Sequence, residues 1–473
     1  MTINKKEILT LLEEGIFKTI MNTSHELNID SYVVGGFVRD YIINKEIKKD
    51  IDILCIGSGI NFAINVQNSI DSTKKIKIYK RFGTAMLKWK DYTVEFVGAR
   101  KESYSEDTRK PEVKPGTFMD DMNRRDFTIN TLAISLNKEN YGELIDTFNG
   151  IGDLNKGIIK TPTDSDKTFL DDPLRMLRAV RFSSQLKYKI ERNTFESIKR
   201  NLNRIEILSG ERISEELNKI LMQDKPSNGF ILLDKLNILK IILPELESLK
   251  GIEEVEGKAH KDNFYHTLEV VDNISSKTNN IWLRWAALLH DIGKPPTKKF
   301  NKEIGWTFHG HEFIGSKMVK QIFNRLKLPL NESMKYVQKI VMMSSRPIII
   351  AKEIVTDSAV RRLIYDAGNS IDDLLTLCEA DITTKNKRKF KQYHNNFKIV
   401  REKIKKVEEK DNIRNFQPPV KGEVIMKHFK IGPCKEVGII KDEIKNAILD
   451  GEIENDYKSA FNLMKIKGKS LGL

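Results

Sequence analysis

Apolar side chains recur at helical spacing through residues 1–30, with Ile8, Leu11, Leu12, Ile16 and Ile20 on one side. That pattern predicts one amphipathic helix packed against a first sheet. The period then changes. Val33-Val34 is a β-prone pair, Gly35-Gly36 a turn, Phe37–Ile43 a return to helical spacing, and Asp50–Leu54 an alternation of charged and apolar residues. The order is strand, glycine turn, helix, strand. Ala85–Trp89 and Tyr92–Val97 read as two strands around Lys90-Asp91. Residues 98–122 are polar and punctuated by Pro111, Pro115 and Gly116, a loop long enough to suspect function. A turn-rich stretch from Glu143 to Leu154 closes this α/β head, a β-sheet with helices. From Asp164 onward the pattern is helical and stays so, with Pro295-Pro296 ending the helix that carries His290 and Gln417-Pro418-Pro419 forming a linker. The tail reads as short helices joined by glycine turns.

At 473 residues the chain is too long for a single core, and three or four domains are expected. A formal charge of +14 favours a polyanionic partner. The three cysteines (Cys55, Cys378 and Cys434) are far apart and form neither a metal spacing nor a disulfide framework, which fits a reducing cytoplasm. The N-terminus lacks the apolar core of a signal peptide, and no run is long enough to span a bilayer, so no membrane partner is expected.

Candidate chemistry concentrates in a few places. A helix N-terminus after a glycine turn offers free N–H groups to a phosphate, and Arg39 adds a guanidinium. Asp50 and Asp52 share one strand face, where paired carboxylates can bridge divalent cations roughly 4 Å apart, although Asp-x-Asp and Gly-Gly are each common. Glu95 is a candidate third carboxylate or a solvated strand residue. Arg124-Arg125-Asp126 could hold one guanidinium toward a triphosphate, or form a surface salt bridge. Arg175, Arg178 and Arg181 make a basic stripe that repels itself unless neutralised, and Asp172 stands where a helix cap would. Glu211–Leu217 could buttress that stripe or be a solvated face. Five of the eight histidines fall between positions 260 and 311. His266, the doublet His290-Asp291 and the distant Asp381 supply imidazole and carboxylate donors for a divalent metal, with His309 and His311 as extensions. The basic run 385–411 is by default a solvated helix face, with RNA contact second.

In series, GGFVRD (35–40), DID (50–52), RRDFTIN (124–130), DDPLRMLRAVRF (171–182) and ERISEEL (211–217) resemble the class II tRNA nucleotidyltransferase and poly(A) polymerase head family, which includes the CCA-adding enzymes. The histidine block resembles an appended HD domain. The resemblance covers most of the chain. It implies a nucleotidyltransferase head over 1–157, a helical neck over 158–250, an HD domain over 251–412 and a tRNA-contacting helical tail over 413–473. It implies CTP, ATP and tRNA as substrates. Asp50 and Asp52 would hold two Mg²⁺, and Gly36, Arg39 and Arg125 would touch the nucleotide. Asp172 and Arg175 would read the base edge, with Arg178 and Arg181 nearer the phosphates. One departure stands out: many members begin the base-reading helix with Glu-Asp, where this chain has Asp171-Asp172. The rival readings are a CC-adding, A-adding or poly(A)-adding specialist, an HD phosphohydrolase whose head only binds RNA, and a structural RNA-binding protein.

Overall fold

The computed structural model describes residues 3–71, 75–103, 112–352, 356–411, 414 and 416–473. The chain divides into two compact units, one of residues 1–220 with 231–242, the other of residues 221–230 with 243–473.

The first unit opens with two helices rather than one, α1 (Lys5–Leu11) and α2 (Gly15–Leu27). Asn4 and Glu7 form a reciprocal capping box at the start of α1. The break falls just before Gly15, a residue that costs about 1 kcal/mol against Ala inside a helix. Ile8, Leu11, Ile16 and Ile20 stay buried across it. Next come β1 (Ser31–Val34), α3 (Gly36–Asn44), β2 (Asp50–Cys55), α4 (Gly59–Asp71), β3 (Lys77–Tyr79), β4 (Thr84–Trp89) and β5 (Tyr92–Gly98). Further on, β8 (Ala133–Ser135) and β9 (Leu144–Ile145) complete a seven-stranded sheet in the order β3-β4-β5-β2-β1-β8-β9. Only β2 and β5 pair in parallel; the other neighbours are antiparallel. β1 is central and buried at all four positions, as a continuous apolar run requires. On β2 the alternation holds: Ile51 and Ile53 enter the core, while Asp50 and Asp52 face out. Phe62 of α4 meets Phe96 of β5 edge-on at 5.5 Å on the core face.

The stretch expected to be a loop over 98–122 is largely ordered structure. β6 (Arg100–Ser103) pairs with β7 (Glu112–Pro115), and α5 (Phe118–Asn123) follows behind a capping box of Thr117 and Asp120. Residues 104–111 of that loop, with Pro111, lie outside the described residues. Then come α6 (Gly150–Lys156), β10 (Ile158–Ile159), α7 (Ser165–Asp171), α8 (Leu174–Leu186), β11 (Lys189–Ile190), α9 (Arg192–Arg200) and α10 (Gly210–Leu221). The β10–β11 pair interrupts the helical pattern expected after Asp164.

The second unit is mainly helical. It adds two short hairpins that the helical reading also missed, Glu254–Val255 with Lys258–Ala259 and Lys299–Asn301 with Gly305–Thr307. Positive φ at both Glu256 and Gly257 gives the first its tight turn. The helix Ile281–Leu289 is buried on nearly every side, and its Arg284 is satisfied by the carbonyls of Thr278, Leu221, Gln223 and Ser275. Pro295 and Pro296 do not end that helix; they lie in the first turn of a short separate one, Lys294–Thr297, where proline's missing N–H costs nothing. The basic run forms the helix Lys387–Asp411, which buries Phe397, Val400, Ile404 and Val407 along one stripe. The tail helices are Gly422–Phe429, Lys435–Asp450 and Tyr457–Ser470. Among the described residues, no helix is long and apolar enough to cross a membrane.

Candidate functional site

Two constellations carry chemistry, one in each unit. In the first, Gly35 takes φ +76° at the start of α3, a conformation that favours glycine, and any Cβ there would stand 3.0 Å from Arg125 Nη1. The turn therefore brings the α3 N-terminus beside a guanidinium. The parallel register sets Asp52 directly opposite Glu95, so Asp50, Asp52 and Glu95 share one face. Asp52 stays exposed to solvent at the sheet surface, while the groups packed round it desolvate its carboxyl. Burial, opposed by Arg125 and reinforced by Glu95 and Asp50, lifts its carboxyl to about 6. Carboxylate oxygens on one sheet face are the hard donors that a divalent cation takes.

A cleft of about 530 Å³ adjoins them, lined by Gly35, Gly36, Arg39, Asp52, Arg125, Asp172 and the α8 arginines. Its cations are fixed by partners that are local for some and come from distant segments for others. Asp121, fully buried, accepts from Arg124 Nε at 2.8 Å and from Arg125 Nη2 at 3.1 Å. Arg39 donates to Asp40 at 2.7 Å and to Asn130 Oδ1 at 2.6 Å. Burial acts to raise the Asp126 carboxyl, but Arg178 and Asn130 prevail and hold it near 2. Arg181 pairs with the buried Glu216 at 2.6 Å, so the 211–217 segment does buttress the basic stripe. Phe182 lies among three guanidiniums, with Arg181 4.0 Å, Arg39 4.9 Å and Arg178 5.3 Å from its ring centroid.

Arg175 donates to the carbonyls of Thr168 and Arg124, at 3.2 and 2.6 Å, and is buried. Asp172 accepts from Leu174 N at 3.1 Å and so caps α8 while lining the cleft. Asp121, Asn130 and Phe182 were not singled out from the sequence, and Glu216 was reached only as part of the 211–217 segment. An acid three and four residues before two arginines was the available signal for Asp121.

In the second unit, His266, His290 and Asp381 each offer a ligand atom within 4.8 Å of the others. His266 Nε2 is 2.8 Å from Asp381 Oδ1, and Asp291 Oδ2 lies 3.4 Å from His290 Nε2 and 3.7 Å from His266 Nε2. His290 Nδ1 bonds the Ala287 carbonyl, leaving buried Nε2 without a hydrogen-bond partner, as is Asp381 Oδ1. A buried ring nitrogen without a hydrogen-bond partner, 3.6 Å from the Asp381 carboxylate, is what a metal ion would satisfy. Burial alone would lower His290, but Asp291 and Asp381 outweigh it and raise its pKa to about 10; both acids are held low in return. Lys294, not anticipated, sits 2.6 Å from Asp291 Oδ2. Gly293 permits the close approach, since a Cβ there would overlap the His311 carbonyl. His311 reaches to 3.6 Å from Asp291 Oδ1. His309 is the exception: it is exposed on the turn before Gly310, which starts the helix His311–Arg325, and does not join the group.

The mixed sheet thus presents paired carboxylates beside an arginine-lined cleft. Residues 31–160 match the poly(A) polymerase head domain, 187–250 the probable RNA and SrmB-binding site of polymerase A, and 263–385 the HD domain. A multifunctional CCA protein of Nitrosomonas eutropha is 30% identical over 63% of this chain and 69% of its own length. The chain belongs to the tRNA nucleotidyltransferase and poly(A) polymerase family. An A-adding tRNA nucleotidyltransferase of Geobacter sulfurreducens is 32% identical over 54% of this chain, a match that spans only 30% of that protein. The fold is shared with a CCA-adding enzyme solved with ATP, at 23% identity and a TM-score of 0.65 over 98% of both chains.

Proposed function

We propose that the chain completes tRNA 3′ ends, adding C, C and A from CTP and ATP without a nucleic-acid template. The observation that carries the reading is the junction of the Asp50–Asp52–Glu95 face with the arginine cleft at Asp52 and Arg125. The tRNA 3′-hydroxyl attacks the α-phosphorus, a new P–O bond forms, and pyrophosphate leaves with the electron pair of the broken bond. Two Mg²⁺ held by Asp50 and Asp52 would supply activation of the hydroxyl and charge neutralisation on the triphosphate. The α3 N-terminus, Arg39 and Arg125 orient the triphosphate, and Arg178 and Arg181 add positive charge beside it. Asp172 and Arg175 present acceptor and donor groups to the edge of the incoming base. In the arrangement described, Arg175 would exchange a carbonyl contact for the base.

The test gives purified protein a tRNA lacking its 3′ end, with labelled CTP alone, ATP alone, then both. C incorporation followed by a single A supports the reading. A alone, onto tRNA already ending in CC, would favour the A-adding specialism that the Geobacter sulfurreducens relative's name records. Long A tracts would indicate a poly(A) polymerase, and no incorporation would remove the head hypothesis.

A second reading concerns the HD unit. The unpartnered His290 Nε2, grouped with His266 and Asp381, favours a metal-dependent phosphohydrolase centre there. Hydrolysis of a phosphoester with added Ni²⁺ or Mg²⁺, lost in His290→Ala, supports it; an inert wild type sinks it.

A further inference from the structure

We infer that the open sheet face running from Asp52 to Tyr79 seats the last nucleoside of the acceptor strand, with Tyr79 as its stacking platform. The inference rests on the nucleotidyl-transfer reading and assigns the binding site of its second substrate.

Two recesses meet at the carboxylates, and only Asp52, Arg124 and Arg125 line both. The first is the arginine cleft, whose α3 N-terminus and many guanidiniums suit a triphosphate. The second, of about 540 Å³, differs in character. Asp52 and Glu95 stand at one end, Arg100 joins the two shared arginines, and Val34, Val97, Met86 and Tyr79 supply apolar surface. That composition suits a nucleoside with few phosphates, and the volume is that of a site for one small ligand.

Strand register explains how one face is shared. Asp52 lies opposite Glu95, and Glu95 opposite Met86. Two residues along, Leu54 lies opposite Val97, Val97 opposite Thr84, and Thr84 opposite Tyr79. Residues directly opposite or two apart point to the same side of a sheet. The recess floor is therefore the carboxylate face continued outward across β5 and β4 to the edge strand β3. Strands about 4.8 Å apart place β3 about 14 Å from β2, a span that two inward-reaching side chains and one nucleoside can fill. Tyr79 is 42% exposed on a strand whose three residues are all exposed, so its ring is presented to solvent. Exposed aromatic faces beside a cationic groove hold single-stranded nucleic acid by stacking on bases. A hydroxyl at the carboxylate end and a base at the Tyr79 end match the two ends of a terminal nucleoside.

The test is a steady-state split, using tRNA lacking its 3′ end. Acceptor is varied at saturating CTP, then CTP at saturating acceptor. Tyr79→Ala should raise KM for the acceptor about tenfold, leaving kcat and KM for CTP within about twofold. Tyr79→Leu keeps apolar bulk on the edge strand without the ring and should behave like Tyr79→Ala. Tyr79→Phe should restore wild-type KM. An acceptor KM unchanged in both ring-less variants, or a rise in KM for CTP of equal size, overturns the assignment while leaving nucleotidyl transfer standing. A wild type that incorporates nothing overturns the underlying reading, and this one with it.

Discussion

One oxygen of Asp126, Oδ2, takes both Nε and Nη2 of Arg178, at 2.7 and 2.6 Å, across 52 residues of sequence. The pair ties the segment after α5 to the helix that lines the cleft. The Asp126 carboxyl is held near 2, well below the unfolded value of about 3.9. A carboxyl lowered on folding contributes stability above its unfolded pKa, and that contribution is lost as pH falls through the folded one. Asp126→Asn should therefore cost about 2 kcal/mol at neutral pH and flatten the decline in stability between about pH 4 and pH 2. Denaturant melts of both proteins across that range check it.

The carboxylate face should be intolerant of neutral substitutes. Asp52→Ala should lower incorporation of labelled CTP by at least about a thousandfold, the scale expected when charge neutralisation at a transferring phosphoryl group is lost. Glu95→Gln should lower it less if Glu95 tunes Asp52 rather than acting alone. Single-turnover rates with acceptor in excess separate the two.

Base choice should separate from helix capping at Asp172. Asn caps helices about as well as Asp, so Asp172→Asn should keep the α8 cap and the melting temperature while removing the charge. Misincorporation from UTP and GTP relative to CTP should rise at least about tenfold, the scale of one good base-edge contact. Wild-type discrimination in this variant would assign the residue to capping alone.

The histidine centre should exchange a proton for a metal. His290 is raised to about 10, so in chelator-treated protein its contribution is complete below the unfolded value of about 6.5 and is lost as pH rises toward 10. Added Mn²⁺ or Ni²⁺ should raise the melting temperature, with an apparent affinity that increases with pH as the proton is displaced. His290→Gln should abolish both effects in calorimetric titration.

Much of the first unit was legible because its signals are local. The alternation of Asp50, Ile51, Asp52 and Ile53 sufficed to place two carboxylates on one face, and the Gly35-Gly36 turn located the α3 N-terminus. The neutralisation of the basic stripe was only half legible. Repulsion among Arg175, Arg178 and Arg181 demands counter-charges, yet Asp126 and Glu216 are long-range partners that no periodicity reveals. Arg175 satisfied by backbone carbonyls is invisible for the same reason. The hairpins at 254–259 and 299–307 were missed because two- and three-residue strands carry too few alternations to register. His309 and His311 look alike in sequence, and only the turn at Gly310 turns one inward and leaves the other in solvent.

The reach of α8 bears on how this protein can be made. Phe182 closes edge-on against Phe127 at 5.8 Å, Arg178 neutralises Asp126, and Arg175 holds the Arg124 carbonyl. Arg181 of the same helix waits in turn on Glu216. A nascent chain that has emerged only through residue 160 thus holds the segment matching the head domain but not the groups that finish its interior. The stretch matching the head-domain family alone, 31–160, is shorter than the compact unit it sits in, which extends to residue 220 and takes in 231–242. A fragment cut at the similarity boundary would expose Phe127 and leave a buried acid without its cation, so a minimal head for expression should carry α10 as well.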